Sequence, residues 1–527
     1  MNGEPAKLKA AAWRARKARN WTTVRACADE LLKLCPDDAE GHFLTGLAER
    51  AANRPRTAIA AFDKALSLDD KRYDAAVELA NLYSIARRNG EAARLLERYE
   101  KALTNSPLYL DLAGTVYTDI GLSQKAWPLF KRANELQPNV DIFKANLATC
   151  AVFLGKIDEA RALYTSLLER FPHHRQNHYQ LSRLQRARDD RHIKQMKEVI
   201  RIENDPPARA IPLYFAIAKE LEDLERWDES FEYYRKAGDA VTSVANYDVD
   251  SDIRLIDTVI DTCDSAWLKS RPVANESPAS SKTPIFIVGL PRTGTTLTER
   301  IISSHSQVST LGETLFLQMM LRQESGIRSK DRMTPSMIRA VAEKDIENVA
   351  NGYLDSIDYR LGNEPMFIDK LPLNFLFLGF IAKAWPNARI VYLVRNPMDA
   401  CFSMFKAVFT WAYRFSYSLE NLGRYYVAYD RLRKHWQDLL GDRMIEVRYE
   451  SLVSDQENQT RQLLQRLGLG FEESCLVFDQ NKAPSATASS VQVRSGIHTD
   501  SVLRWKRFEK QLQPLKEHLE SAGIQLE

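Results

Sequence analysis

Along the first 240 residues, small and bulky apolar positions are set among polar ones in a pattern that returns every 34 residues. Alanine holds one phase of it, at Ala58, Ala92, Ala126 and Ala160. A bulky side chain follows four positions later each time: Phe62, Leu96, Phe130 and Tyr164. A small residue comes earlier in each unit, at Gly46, Ala80, Gly114 and Ala148. The pattern predicts paired helices. Small residues let two helices approach, bulky ones fill the gap beside them, and a proline ends the second helix, as Pro36, Pro138 and Pro172 are placed to do. Five units in strict phase are expected to begin near Pro5, Ala39, Tyr73, Pro107 and Asp141. Residues 175–208 read as a degenerate sixth, and 211–240 restores the pattern through Ala218, Ser230, Tyr234 and Ala237. Such a unit cannot bury its own apolar face, so neighbours must stack into a superhelix.

Past residue 248 the pattern changes. A helix is expected over about 248–268, and SRPVANESPASSKTP (270–284), without periodicity, reads as a linker. Short continuous apolar runs then replace the helical period: IFIVGL (285–290), PMFIDK (365–370), ARIVYLVRNP (388–397) and MIEVRYESLV (444–453). Runs of this kind suit strands buried on both faces. They alternate with helical stretches such as 297–305 and 375–386, which predicts a parallel sheet covered by helices and a ligand at the carboxyl ends of the strands. The expected division is an all-α repeat superhelix over 5–240, a connecting helix and linker over 241–283, and an α/β domain over 284–527. Polar clusters follow the strands, at 292–296, 369–370, 395–396 and 449–450.

Composition excludes more than it selects. A chain of 527 residues is too long for one hydrophobic core. With 27% charged and 44% apolar residues and a net charge of +3, it gives no support to a nucleic-acid or membrane-surface protein. No run of about 18 apolar residues exists, and the basic, alanine-rich start lacks the apolar core of a secretory signal. No membrane span and a cytoplasmic location are therefore expected. Cys27, Cys35, Cys150, Cys263, Cys401 and Cys475 are scattered without a C-x-x-C pair, the usage of isolated thiols in a reducing compartment.

PIFIVGLPRTGTTLTERII (284–302) nearly fits the triphosphate-binding loop G-x-x-x-x-G-K-[ST]. Gly289, Gly294 and Thr296 are in place, but Thr295 stands where the lysine belongs. Backbone N–H groups at such a turn and the helix behind it hold an anion. Without the lysine, and with only the short FIDK (367–370) as a candidate for an apolar run ending in aspartate, the loop is poorly equipped for a magnesium triphosphate. Arg292 and the hydroxyls of Thr293, Thr295 and Thr296 suit a single phosphate. YLVRNPMDACFSM (392–404) offers a second anion site, with Arg395 ending a strand and Ser403 eight residues on. Two phosphate sites on one sheet point to a nucleotide phosphorylated at both its 5′ and 3′ ends.

Together, in this order and spacing, GLPRTGTT and LVRNPMDACFSM resemble the 5′-phosphosulfate loop and 3′-phosphate motif of sulfotransferases, the tyrosylprotein sulfotransferases above all, over roughly 284–508. The 34-residue units resemble tetratricopeptide repeats. The first resemblance implies a P-loop-like domain that uses 3′-phosphoadenosine 5′-phosphosulfate (PAPS), releases 3′,5′-ADP and needs no metal. It implies that Arg292, Thr293, Gly294, Thr295 and Thr296 hold the 5′-phosphosulfate, that Arg395, Ser403 and Arg504 hold the 3′-phosphate, and that Tyr449 contacts the nucleotide. Glu313, in STLGETLFL, matches the catalytic base, and Thr314 stands where the family has a second acidic residue. Lys370, in FIDKLPLN, matches a lysine that stabilises charge on the transferring group, and Ser489 a serine that assists it. Ala407 occupies the place of a further basic residue, with Lys406 beside it. His305, the alternative base, matches a histidine that is structural in this branch.

The acceptor implied is a protein tyrosine presented by the repeats. A glycan or lipid O-sulfotransferase, a phosphoryl-transfer enzyme with a decayed loop, and a non-catalytic repeat scaffold are the rival readings. The repeats are expected to bind a peptide or partner protein; packing on the second domain, or self-association into a homo-oligomer, are their alternative uses. Animal enzymes of the tyrosine family are anchored Golgi proteins, and without that anchor a soluble, bacterial relative is expected.

Overall fold

The computed structural model describes residues 3–204, 206–270, 282–330, 333–409, 412–481, 483–485, 487, 489–494, 496–497 and 499–526. The chain divides into two compact units, Met1–Cys150 and Ala151–Glu527. The first is a series of helix pairs: Glu4–Lys17 with Trp21–Leu34, Ala39–Ala51 with Pro55–Leu68, Tyr73–Ile85 with Asn89–Tyr99, and Pro107–Asp119 with Ser123–Leu136. Pro36 and Pro138 each lie two residues past a second helix, ending at Leu34 and Leu136.

The alternation of small and bulky residues has a steric cause. Gly46 lies so close to the Phe62 ring that a Cβ there would fall 2.5 Å from Cε1, and Gly114 stands in the same relation to Phe130, at 2.8 Å. Gly46→Ala gains about 1 kcal/mol of helix propensity, yet its methyl must displace a packed ring, and overpacking costs about 1–3 kcal/mol. The steric cost is expected to win. A thermal scan of the full chain should show a lowered midpoint, and an unchanged or raised one would mean the ring yields freely.

In the second unit the helices continue through Ile157–Arg170, Arg175–Arg183, Arg191–Glu203 and the pair Pro207–Asp223 and Trp227–Val244. The repeat pattern runs to residue 240, but packing groups these last helices with the sheet. Phe231 and Tyr234 each lie 6.5 Å from Phe402, and Trp227 meets Phe508 at 5.5 Å. Gly238 packs on backbone: a Cβ there would come 2.5 Å from the Tyr417 carbonyl oxygen. The expected helix over 248–268 is Val249–Thr262 followed by Ser265–Lys269. Most of the predicted linker, 271–281, lies outside the described residues.

The sheet has five parallel strands, β1 (Thr283–Gly289), β2 (Val308–Thr310), β3 (Met366–Lys370), β4 (Arg389–Val394) and β5 (Met444–Arg448), in the order β2-β3-β1-β4-β5. Both faces are covered. Ile285 and Ile287 enter one apolar layer with Ile368 and Val391, while Phe286 and Val288 enter the other with Phe367 and Tyr392. This is why β1 reads as a continuous apolar run. The strand order reverses around β1, and the crevice at the carboxyl ends of β1 and β4 is where such sheets bind ligands. The architecture expected from the sequence, an all-α tetratricopeptide region followed by an α/β parallel-sheet domain, is therefore the one present. The edge strand β2 was not expected, because three residues with one apolar side chain carry no readable period. The run beginning at 444 leaves the sheet at Arg448, where Tyr449 starts a helix. Among the described residues no helix is long and apolar enough to cross a membrane.

Candidate active site

At the end of β1 the chain turns where backbones nearly touch. Gly289 has φ 140°, and a Cβ on it would lie 2.5 Å from the Leu393 carbonyl oxygen of β4. Gly294 has φ 100° and caps the helix Thr295–Ser303; a Cβ on it would lie 2.6 Å from the Tyr449 ring. Both motif glycines are thus required by close approach as well as by backbone angle. Arg292 sits at φ 68°, an uncommon conformation for a non-glycine residue. The Thr293 hydroxyl donates to the Leu290 carbonyl at 2.7 Å and so closes the loop on itself. Thr295 and Thr296 line a cavity of about 400 Å³, with the first-turn N–H groups of their helix at its edge.

Three arginines converge beside that cavity. Arg292 donates from Nε to Ser403 Oγ at 3.3 Å, from Nη1 to Ser489 Oγ, and from Nη2 to Gln492 Oε1 at 2.7 Å. Its burial, together with Arg395 and Arg183, pulls its pKa down to about 10, so it stays cationic at neutral pH. Arg395 donates to the carbonyls of Arg292 at 2.9 Å and Ser501 at 2.5 Å. Its guanidinium lies 4.7 Å over the Tyr449 ring, and its Nε is buried with no partner among the described residues. The Tyr449 hydroxyl is 2.6 Å from Ser501 Oγ. Arg504 stands on a short segment held by Asp399, whose carboxylate accepts the N–H groups of Leu503 at 2.6 Å and Trp505 at 3.0 Å.

Glu313 and Lys370 are brought together, and neither lines the cavity. Lys370 ends β3, opposite Ile287 of β1. Its Nζ donates to Glu313 Oε1 at 2.5 Å and lies 3.6 Å from Glu299 Oε2. Burial pulls the Lys370 pKa down, but the Glu313 and Glu299 carboxylates outweigh it and hold it above its ordinary value. The lysine side chain is fully buried while that of Glu313 is 38% exposed, so the carboxylate is tethered on one side and open on the other. Thr314 donates to Asp369 at 2.7 Å, as does Tyr353 at 2.8 Å, and burial raises the Asp369 pKa to about 6. His305 is buried with Nε2 3.0 Å from the Gly470 carbonyl and Nδ1 accepting the Gln307 N–H at 3.1 Å, a structural placement at the end of the loop helix.

The segment TASSVQVRSGIHTDSVLRWKRF (487–508), which resembles the closing loop of sulfotransferases, brings further residues to the site. Gln492 and Ser501 lie in an aperiodic segment. Arg494, in the same segment, donates to the Phe153 and Ala483 carbonyls, each at 3.1 Å, and so ties the Ser489–Gln492 stretch to the helical region. Lys406 and Ala407 both line the cavity. Tyr179, Arg183, Phe215 and Glu222 of the repeat helices line the cavity as well. Among the described residues no group of three or more His, Cys, Asp or Glu side chains is gathered as for a metal ion.

Residues 284–473 match the model of the sulfotransferase family. The chain is 28% identical over 443 residues to an uncharacterized protein of Aquifex aeolicus (strain VF5), covering 83% of this chain and 57% of that one. It is 24% identical over 231 residues to the protein-tyrosine sulfotransferase of Drosophila melanogaster, covering 42% of this chain and 46% of the enzyme. The matches thus span about half the length of these two relatives. Among solved structures, the tetratricopeptide protein YrrB, described as having an unusual peptide-binding site, aligns with 23% identity and a TM-score of 0.30, over 34% of this chain and 93% of YrrB. The sulfotransferase-family match thus falls on the α/β half, where the phosphate loop follows β1 of the parallel sheet, and the helix pairs before it are similar to tetratricopeptide proteins.

Proposed function

We propose that the protein transfers a sulfuryl group from PAPS to an acceptor hydroxyl, and that the acceptor is a protein tyrosine. The observation that carries the donor reading is the convergence of Arg292, Arg395 and Arg504 on a cavity at a helix N-terminus, with a buried Arg395 Nε that lacks a partner among the described residues. A doubly phosphorylated nucleotide fits that set: Arg292, Gly294, Thr295 and Thr296 would hold the 5′ end, and Arg395, Ser403 and Arg504 the 3′-phosphate. Tyr449, stacked on Arg395, would form a nucleotide-binding face. PAPS, when bound, supplies an activated sulfuryl group and leaves as 3′,5′-ADP.

Glu313 then acts as general base, taking the proton of the acceptor hydroxyl on its exposed side. Lys370, kept protonated by Glu313 and Glu299, supplies the positive charge next to the phosphate loop, and Ser489 is held against Arg292. The tyrosine acceptor rests on the name of the Drosophila relative, and the repeats would present the substrate or a partner protein. Incubation of the full chain with PAPS labelled in its sulfuryl group should place label on a tyrosine peptide. Label on glycans or lipids alone would replace the acceptor assignment, and no transfer together with no 3′,5′-ADP binding would remove the reading.

A further inference from the structure

One wall of the cavity comes from the repeat helices, and one residue there does more than line it. Glu222, near the end of the helix Pro207–Asp223, is buried at 5% exposure. Its Oε1 accepts both Lys406 Nζ at 2.7 Å and Arg504 Nε at 2.8 Å, and its Oε2 accepts the Tyr234 hydroxyl at 2.9 Å. The two cations come from unrelated places, Lys406 from the end of the helix Pro397–Phe405 and Arg504 from the C-terminal segment. Both line the same cavity as Ser403 and Arg395, the residues assigned above to the 3′-phosphate. Burial and the charges of Arg504 and Arg292 all disfavour the Lys406 ammonium, and the shared Glu222 carboxylate opposes them.

We propose that Glu222 is a positioning residue for the donor's 3′-phosphate, holding Lys406 and Arg504 side by side so that the last repeat hairpin is part of the donor site. The inference rests on the PAPS reading. Its physical basis is pre-organisation: a fixed pair of cations binds a phosphate better than two that must be gathered against their mutual repulsion. Burial would push the Glu222 carboxyl upward, but Lys406 and Arg504 hold it low, so it remains the counter-charge at neutral pH. The repeats are then not a detachable recruiting module, because removing them removes the residue that sets two donor-site cations.

The test is calorimetric titration of the full chain with 3′,5′-ADP and, separately, with adenosine 5′-monophosphate, which lacks the 3′-phosphate. Glu222→Gln keeps shape and volume and is expected to weaken 3′,5′-ADP about tenfold, the loss of roughly one charge-assisted contact, while changing the monophosphate by less than about twofold. Tyr234→Phe, which removes only the Oε2 donor, should shift 3′,5′-ADP in the same direction by a smaller factor. Equal losses for both nucleotides would mark Glu222 as merely structural, and tighter 3′,5′-ADP binding would mark it as a competitor of the phosphate; either overturns the proposal. If the unaltered protein binds neither nucleotide, the donor reading itself fails, a result distinct from an unaffected Glu222→Gln variant in a protein that binds both.

Discussion

Exchange of Glu313 for glutamine is expected to lower kcat by about 10²- to 10⁴-fold, the range for loss of a general base, with 3′,5′-ADP affinity unchanged. Glutamine keeps the length of the side chain and can still accept from Lys370, but it cannot take the acceptor's proton. The separation of effects follows from placement. Glu313 stands at the end of β3 with Lys370, whereas the donor cavity is lined by other residues. In the variant Glu299, 3.6 Å from Lys370 Nζ, remains as a counter-charge. Single-turnover rates with a saturating acceptor would measure the loss. A variant with undiminished kcat would remove the base assignment, and a matching drop in 3′,5′-ADP affinity would point instead to a collapsed site.

In the unaltered protein the charge of Lys370 does not vary over the pH range of that measurement. Its folded pKa lies above the ordinary 10.5, so its contribution to stability is fully present below that value and is lost only as the pH rises through the folded pKa. Across the neutral range its charge is constant. Glu313→Gln removes the larger of the two carboxylates that oppose burial of the lysine, so the rate difference reports on the Glu313–Lys370 pair.

How much of this was readable in the chain depends on how local the cause was. The repeats were legible because the same contact recurs, Gly46 on Phe62 and Gly114 on Phe130, at a fixed interval. The strands β1, β3 and β4 were legible because burial on both faces forces continuous apolar runs. The phosphate loop was legible because two glycines must stand where the backbone meets β4 and the Tyr449 ring. What escaped has a tertiary cause. In KELED, Glu222 looks like any solvated helix carboxylate, and only the fold places it between Lys406 and Arg504. Ser501 and Gln492 sit in a stretch without periodicity, so their contacts with Arg395 and Arg292 had no signature. Packing of the repeats on the second domain was expected only as an alternative use, because Tyr234 reads as an ordinary repeat-core position.

Arg292→Ala is expected to have the largest effect on donor binding, weakening 3′,5′-ADP by about 10²-fold or more. Hydrogen bonds to charged groups contribute about 1.5–3 kcal/mol each, and a guanidinium that forks onto a phosphate makes two. The loss has a second component, because Arg292 also gathers the site: its three nitrogens reach Ser403, Ser489 and Gln492, three residues from two distant segments. Truncation removes both the charge and the tether. Arg292→Lys separates them, since an ammonium keeps the charge but cannot span three partners. If Arg292 serves chiefly as an anion ligand, lysine should recover much of the affinity; if it serves chiefly as the tether for Ser489 and Gln492, lysine should bind almost as weakly as alanine and kcat should fall with it. Undiminished 3′,5′-ADP binding in Arg292→Ala would overturn the assignment of the loop to the 5′ end of the donor, because no other side chain of 290–296 brings a positive charge to it.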